Sequence, residues 1–99
     1  MPTDALTVIV RIKAKPGKEE TTRSELRKLL TPTRREAGCL NYDMHQSIED
    51  PALFVFHENW TSEEHLAAHL ESPHIRAWFV QTDELLAEPV EIVRCRRVE

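Results

Sequence analysis

The sequence predicts an α+β fold in which strands and helices follow one another as βαββαβ. Three observations predict it. Stretches with a two-residue hydrophobic period, Leu6 to Lys15 and Leu53 to Trp60 among them, alternate with stretches of helical period. Two of the strands meet across the short turn Glu49-Asp50-Pro51, so one hairpin interrupts the alternation in mid-chain. The chain has 99 residues, enough for one domain over 1–99 and one hydrophobic core.

Each element follows from local chemistry. In Leu6 to Lys15, Leu6, Val8, Val10, Ile12 and Ala14 fall on one face and Ile9, Arg11 and Lys13 on the other; Pro16-Gly17 ends the run. Lys18 to Ala37 reads as a helix whose stripe is Thr22, Leu26, Leu29, Leu30, Thr33 and Ala37. Glu19 and Glu20 at its start and Arg34 and Arg35 at its end suit the helix dipole, Gly38 suits its C-terminal cap, and Pro32 is expected to kink or split it. Cys39 to Ile48 is a second strand, with Leu40, Tyr42, Met44 and Gln46 opposed to Cys39, Asn41, Asp43 and His45. In the third, Leu53 to Trp60, the residues Phe54, Phe56, Glu58 and Trp60 share a side. Thr61-Ser62-Glu63-Glu64 is a capping box that opens a short helix to Leu70 or Glu71. Ser72-Pro73 opens another, with Ile75, Trp78, Phe79, Thr82, Leu85 and Leu86 on its apolar side, and Pro89 stops it. Val90 to Val98 is the last strand.

This order is the ferredoxin-like arrangement, with the helices on one face of a four-stranded sheet. The other face is left bare and carries apolar residues, so a second copy of the chain, sheet against sheet, is expected to cover it. Several function classes drop out. A formal net charge of -4, from 13 basic and 17 acidic side chains, does not favour nucleic acid. No apolar run is long enough for a membrane span, and MPTDALTVIV lacks the basic start and apolar stretch of a signal peptide, so a cytoplasmic protein is expected. With Gly17 and Gly38 as the two glycines, no phosphate-binding glycine loop can be written. Cys39 and Cys95 make neither a disulfide framework nor a CxxC site.

The candidate chemistry lies with five histidines and a misplaced carboxylate. His65 and His69 stand four apart on one helix face, which is metal-ligand spacing, but no HExxH and no acidic partner accompany them, so no metal is expected. His69 and His74 flank the helix break at Glu71-Ser72-Pro73, either closing it with a hydrogen bond or transferring protons beside a pocket. Glu58 sits on an otherwise apolar strand face; it needs a partner, for which Arg94 or Arg96 is at hand, or its pKa rises and it becomes a general base. Trp60 and Trp78 are core residues or the walls of a pocket for a planar ligand, with Phe56 beside them. Asn41 and Tyr42 are candidate hydrogen-bond donors to a substrate.

Four blocks carry a resemblance to a known family: KPGKEE (Lys15 to Glu20), PTRREAGCLNY (Pro32 to Tyr42), FVFHENW (Phe54 to Trp60) and EEHLAAHLESPH (Glu63 to His74). Together they resemble the antibiotic biosynthesis monooxygenase (ABM) domain of the quinol monooxygenase type, and the likeness covers nearly the whole chain. The resemblance implies a homodimeric α+β barrel and a monooxygenase of small phenols or quinols that uses no cofactor. In that setting His69, His74 and Glu58 are the catalytic candidates, and Trp60, Asn41, Tyr42, Phe56 and Trp78 the substrate-binding ones. The same parts suit an isomerase of a small carbonyl compound or a non-catalytic ligand-binding dimer. The family's haem-degrading branch carries an asparagine on the first strand and a histidine in the last helix; here the first strand has no asparagine and the helix offers Trp78, Phe79 and Val80.

Overall fold

The computed structural model describes residues 5–99. The elements run β1 (Leu6–Lys13), α1 (Glu19–Arg27), α2 (Leu30–Arg34), β2 (Cys39–Gln46), β3 (Leu53–Trp60), α3 (Glu63–Leu70), α4 (Pro73–Phe79), α5 (Thr82–Leu85) and β4 (Glu91–Arg96). The four strands form one antiparallel sheet in the order β2-β3-β1-β4, with the hairpin β2–β3 at one side. This is the ferredoxin-like α+β fold that the alternation predicts. Val8, Val10, Ile12, Tyr42, Phe54, Phe56 and Trp60 turn one sheet face into the core, where Leu26, Leu66, Ile75, Trp78 and Leu85 of the helices meet them. No helix among the described residues is long and apolar enough to cross a membrane.

Four departures from the expected elements have local causes. The first helix is two helices, broken at Lys28 and Leu29 rather than at Pro32. A proline clashes with the carbonyl four residues earlier, and for Pro32 that residue is Lys28. Pro32 itself then sits in the first turn of α2, where its missing N–H costs nothing. The helix cap before α3 falls on Ser62, not Thr61: the Ser62 hydroxyl accepts from the backbone N–H of His65. The last helix is interrupted at Val80 and Gln81, where the Gln81 side chain reaches back to Glu25 of α1 at 3.0 Å. Finally, a bulge between Cys39 and Asn41 sets Cys39 opposite Trp60 and pushes Leu40 out of the pairing. Cys39 therefore packs against the core instead of sharing the outer face with Asn41.

The outer face is more polar than the sequence suggests. Thr7, Asn59 and Asn41 lie side by side across β1, β3 and β2. The Thr7 hydroxyl donates to Asn59 Oδ1 at 2.6 Å, and Asn59 Nδ2 donates to Asn41 Oδ1 at 2.8 Å. Asn59 is only 1% exposed, with Thr7 and Asn41 bonded to it on either side. Ile9, Val55 and Val93 supply the apolar part of the surface.

Candidate active site

A cavity of about 40 Å³ lies between the sheet and the helices. Val8 and Val10, Phe56, Leu66, Ile75 and Trp78 give it apolar walls, and Tyr42, Glu58 and His69 bring it polar atoms. Its rim toward solvent is made by Leu70, Phe79 and Ile92, exposed by 39%, 41% and 39%. The short, exposed β4 leaves that side of the layer open.

Glu58 is the chemical centre of this space. Strand alternation puts its side chain between those of Phe56 and Trp60, where it is 3% exposed. Trp60 Nε1 donates a hydrogen bond of 2.9 Å to its Oε1. Burial pushes the carboxyl up to about 7, the Trp60 bond pulls the other way, and the negative charge of Glu36 adds to the rise. At neutral pH it is thus close to half ionised in an apolar chamber. The expected arginine partners do not reach it. Glu58 and Arg94 both stand beside Val8, one on β3 and one on β4, with the whole of β1 between them, a separation of roughly two strand spacings or ~10 Å. Arg94 instead meets Glu63 at 3.1 Å. Tyr42 lies directly across from Glu58 on β2, and burial followed by the Glu58 charge raises its hydroxyl far above its ordinary value, so the phenol keeps its proton.

The two flanking histidines meet through a residue that the pattern reading placed inside a helix. The chain leaves α2 at Arg35 and turns at Gly38, whose φ of 81° is the left-handed geometry that glycine tolerates. The Gly38 carbonyl accepts from Thr61 N–H, which fixes this loop against the start of α3. Glu36 is thereby carried to the α3–α4 break. Its Oε2 lies 2.7 Å from His69 Nδ1 and 2.9 Å from His74 Nε2. Burial, ahead of the opposing pull of Glu36, lowers the pKa of His69, so its ring is neutral near pH 7. The ring also lies against Trp60, with centroids 4.6 Å apart. Hydrogen bonds do close the helix break, through Glu36, which bridges the two histidines, and through Ser72, whose Oγ donates to the His69 carbonyl and lies 3.2 Å from His74 Nε2.

These positions sort the sequence candidates. Glu58, Tyr42, Phe56, Trp78 and His69 come together around the cavity. Trp60 is fully buried behind it and holds Glu58; His74 stands outside it, beyond Glu36. Asn41 faces the opposite side of the sheet, within the polar row on the outer face. His65 Nδ1 lies 2.9 Å from Thr61 Oγ1 and 2.7 Å from Ser62 Oγ, so it belongs to the helix cap. Burial pushes the Cys39 thiol up to about 11, which leaves it a poor nucleophile.

Residues 5–81 match the antibiotic biosynthesis monooxygenase family. The chain belongs to that family. Two solved relatives match almost end to end: the chain is 38% identical to PA3566 of Pseudomonas aeruginosa, with a TM-score of 0.92 over 97% of this chain and 96% of that one. It is 32% identical to Rv0793 of Mycobacterium tuberculosis, with a TM-score of 0.90 over 96% of each. It is also 32% identical to the Escherichia coli protein named "Probable quinol monooxygenase YgiN", over 74% of this chain and 80% of that one. For an ABM domain the general role is that of a monooxygenase. The family match ends before β4, the strand that forms the open side of the cavity.

Proposed function

We propose that this ABM protein oxygenates small phenols or quinols without a resident cofactor, acting as a homodimer. The observation that carries the proposal is Glu58, a carboxyl raised to about 7 inside an apolar cavity that also holds Tyr42 and His69. A base with a pKa near working pH is what the removal of a phenolic proton requires. The likeness to a protein named as a probable quinol monooxygenase supports this choice of substrate class.

The chemistry closes without an outside reductant. A quinol and O2 give a hydroxyquinone and water, and the quinol supplies all four electrons that O2 takes up. The ionised Glu58 takes a phenolic proton, and ring carbon gains electron density. That carbon transfers electrons to O2 and bonds to it; the resulting peroxide anion takes the phenolic proton back from Glu58 and becomes a hydroperoxide. Glu58, ionised again, takes the ring C–H proton and passes it to the departing distal oxygen, which leaves as water; the carbonyl left behind tautomerises to the hydroxyquinone. The Tyr42 hydroxyl donates a hydrogen bond to the developing phenolate, and His69 holds the second ring oxygen. Phe56 and Trp78 supply flat walls, and the apolar lining keeps water from the hydroperoxide. His74 acts at one remove, by holding Glu36 against His69.

The cavity size bears on the substrate. Forty cubic ångströms holds about three waters, and benzene has been accommodated in engineered cavities of roughly 150 Å³. An aromatic guest therefore needs the rim of Leu70, Phe79 and Ile92 to move outward. The same small volume favours one alternative, enolisation of a small carbonyl compound by the same carboxylate. Oxygen uptake with a panel of hydroquinones separates the two. Uptake above that of Glu58→Gln supports the oxygenase; no uptake, with solvent deuterium entering a carbonyl substrate, supports the isomerase. Ligand-dependent thermal shifts with neither reaction leave a binding protein.

A second copy of the chain covers the outer sheet face in this proposal, with Ile9, Val55 and Val93 at its centre and the Thr7–Asn59–Asn41 row beside them. Sedimentation tests it: Ile9→Glu converts a dimer into a monomer, and a wild-type monomer at micromolar concentration rules the pairing out.

A further inference from the structure

Of the cluster formed by Glu36, His69 and His74, the chemistry proposed at Glu58 uses His69 alone, by the side of its ring that faces the cavity. We infer that these three side chains form a binding site for one divalent transition-metal ion of the Zn2+ type. The inference does not depend on the reaction proposed above.

The geometry is that of ligands waiting for an ion. Glu36 Oε2, His69 Nδ1 and His74 Nε2 all lie within 4.8 Å of one another, with the carboxylate oxygen 2.7 and 2.9 Å from the two nitrogens. Zinc bonds to imidazole and carboxylate are near 2.1 Å, so two ligands at right angles or somewhat wider stand about 3 Å apart. The two oxygen–nitrogen spacings are thus close to those of coordinated ligands. The donors are also held from outside. Glu36 is fixed by its backbone, where its N–H bonds Thr33 and its carbonyl accepts from Cys39. Ser72 Oγ donates to the His69 carbonyl at 2.6 Å and so locks the turn between α3 and α4 that spaces the two histidines. His69 comes from the end of α3 and His74 from the start of α4.

The donor set points to the class of ion. Two imidazoles and one carboxylate suit Zn2+, Co2+ or Fe2+ and do not suit Mg2+ or Ca2+, which take oxygen ligands. Without an ion, one carboxylate oxygen faces two ring nitrogens, each of which must present a proton to it. An ion takes the lone pairs of all three atoms instead. The His69 side chain is 3% exposed and closes the inner side, whereas His74 and Glu36, at 21% and 17%, leave an entry from solvent. That side also leaves room for water as a further ligand. Because His69 lines the cavity, an ion on its Nδ1 keeps the ring proton on Nε2 and makes the ring a fixed donor there.

The test uses tag-free, chelator-treated protein titrated with Zn2+ by calorimetry and with Co2+ by its visible absorption. One ion per chain is expected, with the cobalt bands of a low-coordinate nitrogen–oxygen site. Glu36→Gln and His74→Ala each weaken binding by about tenfold or more, while His65→Ala, which alters a histidine outside the cluster, leaves it unchanged. His74 is partly exposed, so its removal leaves the core intact; thermal melting confirms that both variants are folded, and Glu36→Gln stands alone if His74→Ala is not. Binding weaker than about 1 mM, or binding equal in wild type and in a folded Glu36→Gln, overturns the inference.

Discussion

Glu58 makes a quantitative prediction about stability. In the unfolded chain its carboxyl titrates near 4.5; in the folded protein it titrates at about 7. Between these values the folded state holds a proton that the unfolded state has lost, so stability falls as pH rises. The stability present at pH 4 is lost across that window and fully gone above pH 7. Each pH unit is worth ~1.4 kcal/mol, which over this window amounts to about 3 kcal/mol. The group is 3% exposed, so solvent screening does not reduce the figure much. Glu58→Gln keeps the shape and an oxygen for Trp60 Nε1 but cannot ionise. Urea unfolding of both proteins from pH 4 to pH 8 is the assay. The variant is expected to gain on the wild type steadily from pH 4.5 and to level off above pH 7, about 3 kcal/mol ahead of its position at pH 4. A difference that stays flat across this range refutes the raised carboxyl and, with it, the base in the proposed reaction.

Other substitutions probe other links. Trp60→Phe removes the N–H that holds the Glu58 carboxylate, so the midpoint of the pH profile of stability, and of oxygen uptake where it occurs, moves to higher pH. Gly38→Ala forces a side chain into the left-handed region and drives its Cβ into the His65 ring. A loss of more than ~1 kcal/mol in thermal or urea unfolding is expected. Thr22 is fully buried in α1, and its hydroxyl has no partner among the described residues. Thr22→Val keeps the shape and is expected to raise stability by up to about 1 kcal/mol, read from the urea midpoint.

Much of the fold is legible in the sequence because strand alternation and helix stops are local. Val8, Val10 and Ile12 face the core as their period demands, and Pro73 opens α4 where Ser72-Pro73 announces it. What is not legible depends on register and on one-residue irregularities. The bulge at Leu40 turns Cys39 to the core face, and no composition marks it. The split of the first helix is written in the sequence, but at the residue whose carbonyl Pro32 obstructs rather than at Pro32. The helical stretch also ends at Arg34 instead of Ala37, so Glu36 lies outside it. Glu36 is the partner the histidines lacked on paper; its contact spans 33 residues to His69 and 38 to His74, beyond the reach of any local pattern.

The strand Phe54-x-Phe56-x-Glu58-x-Trp60 shows why the centre of the cavity was nevertheless readable. Four positions of one face point into the core, three carry large rings, and one carries a carboxyl. A fold selected for stability alone has no use for a charge there, since burying it costs more than a hydrogen bond from an indole returns. The surroundings do not neutralise Glu58: among the described residues its hydrogen-bond partner is Trp60 Nε1, no ion pair reaches it, and the charge that acts on it, Glu36, is of the same sign. They leave it balanced between its two forms near neutral pH. Local rules are broken where a site needs a group in an unfavourable state. The break in this strand's apolar pattern and the cavity that opens in front of it are thus two views of one feature, and the titration of Glu58 is the measurement on which both depend.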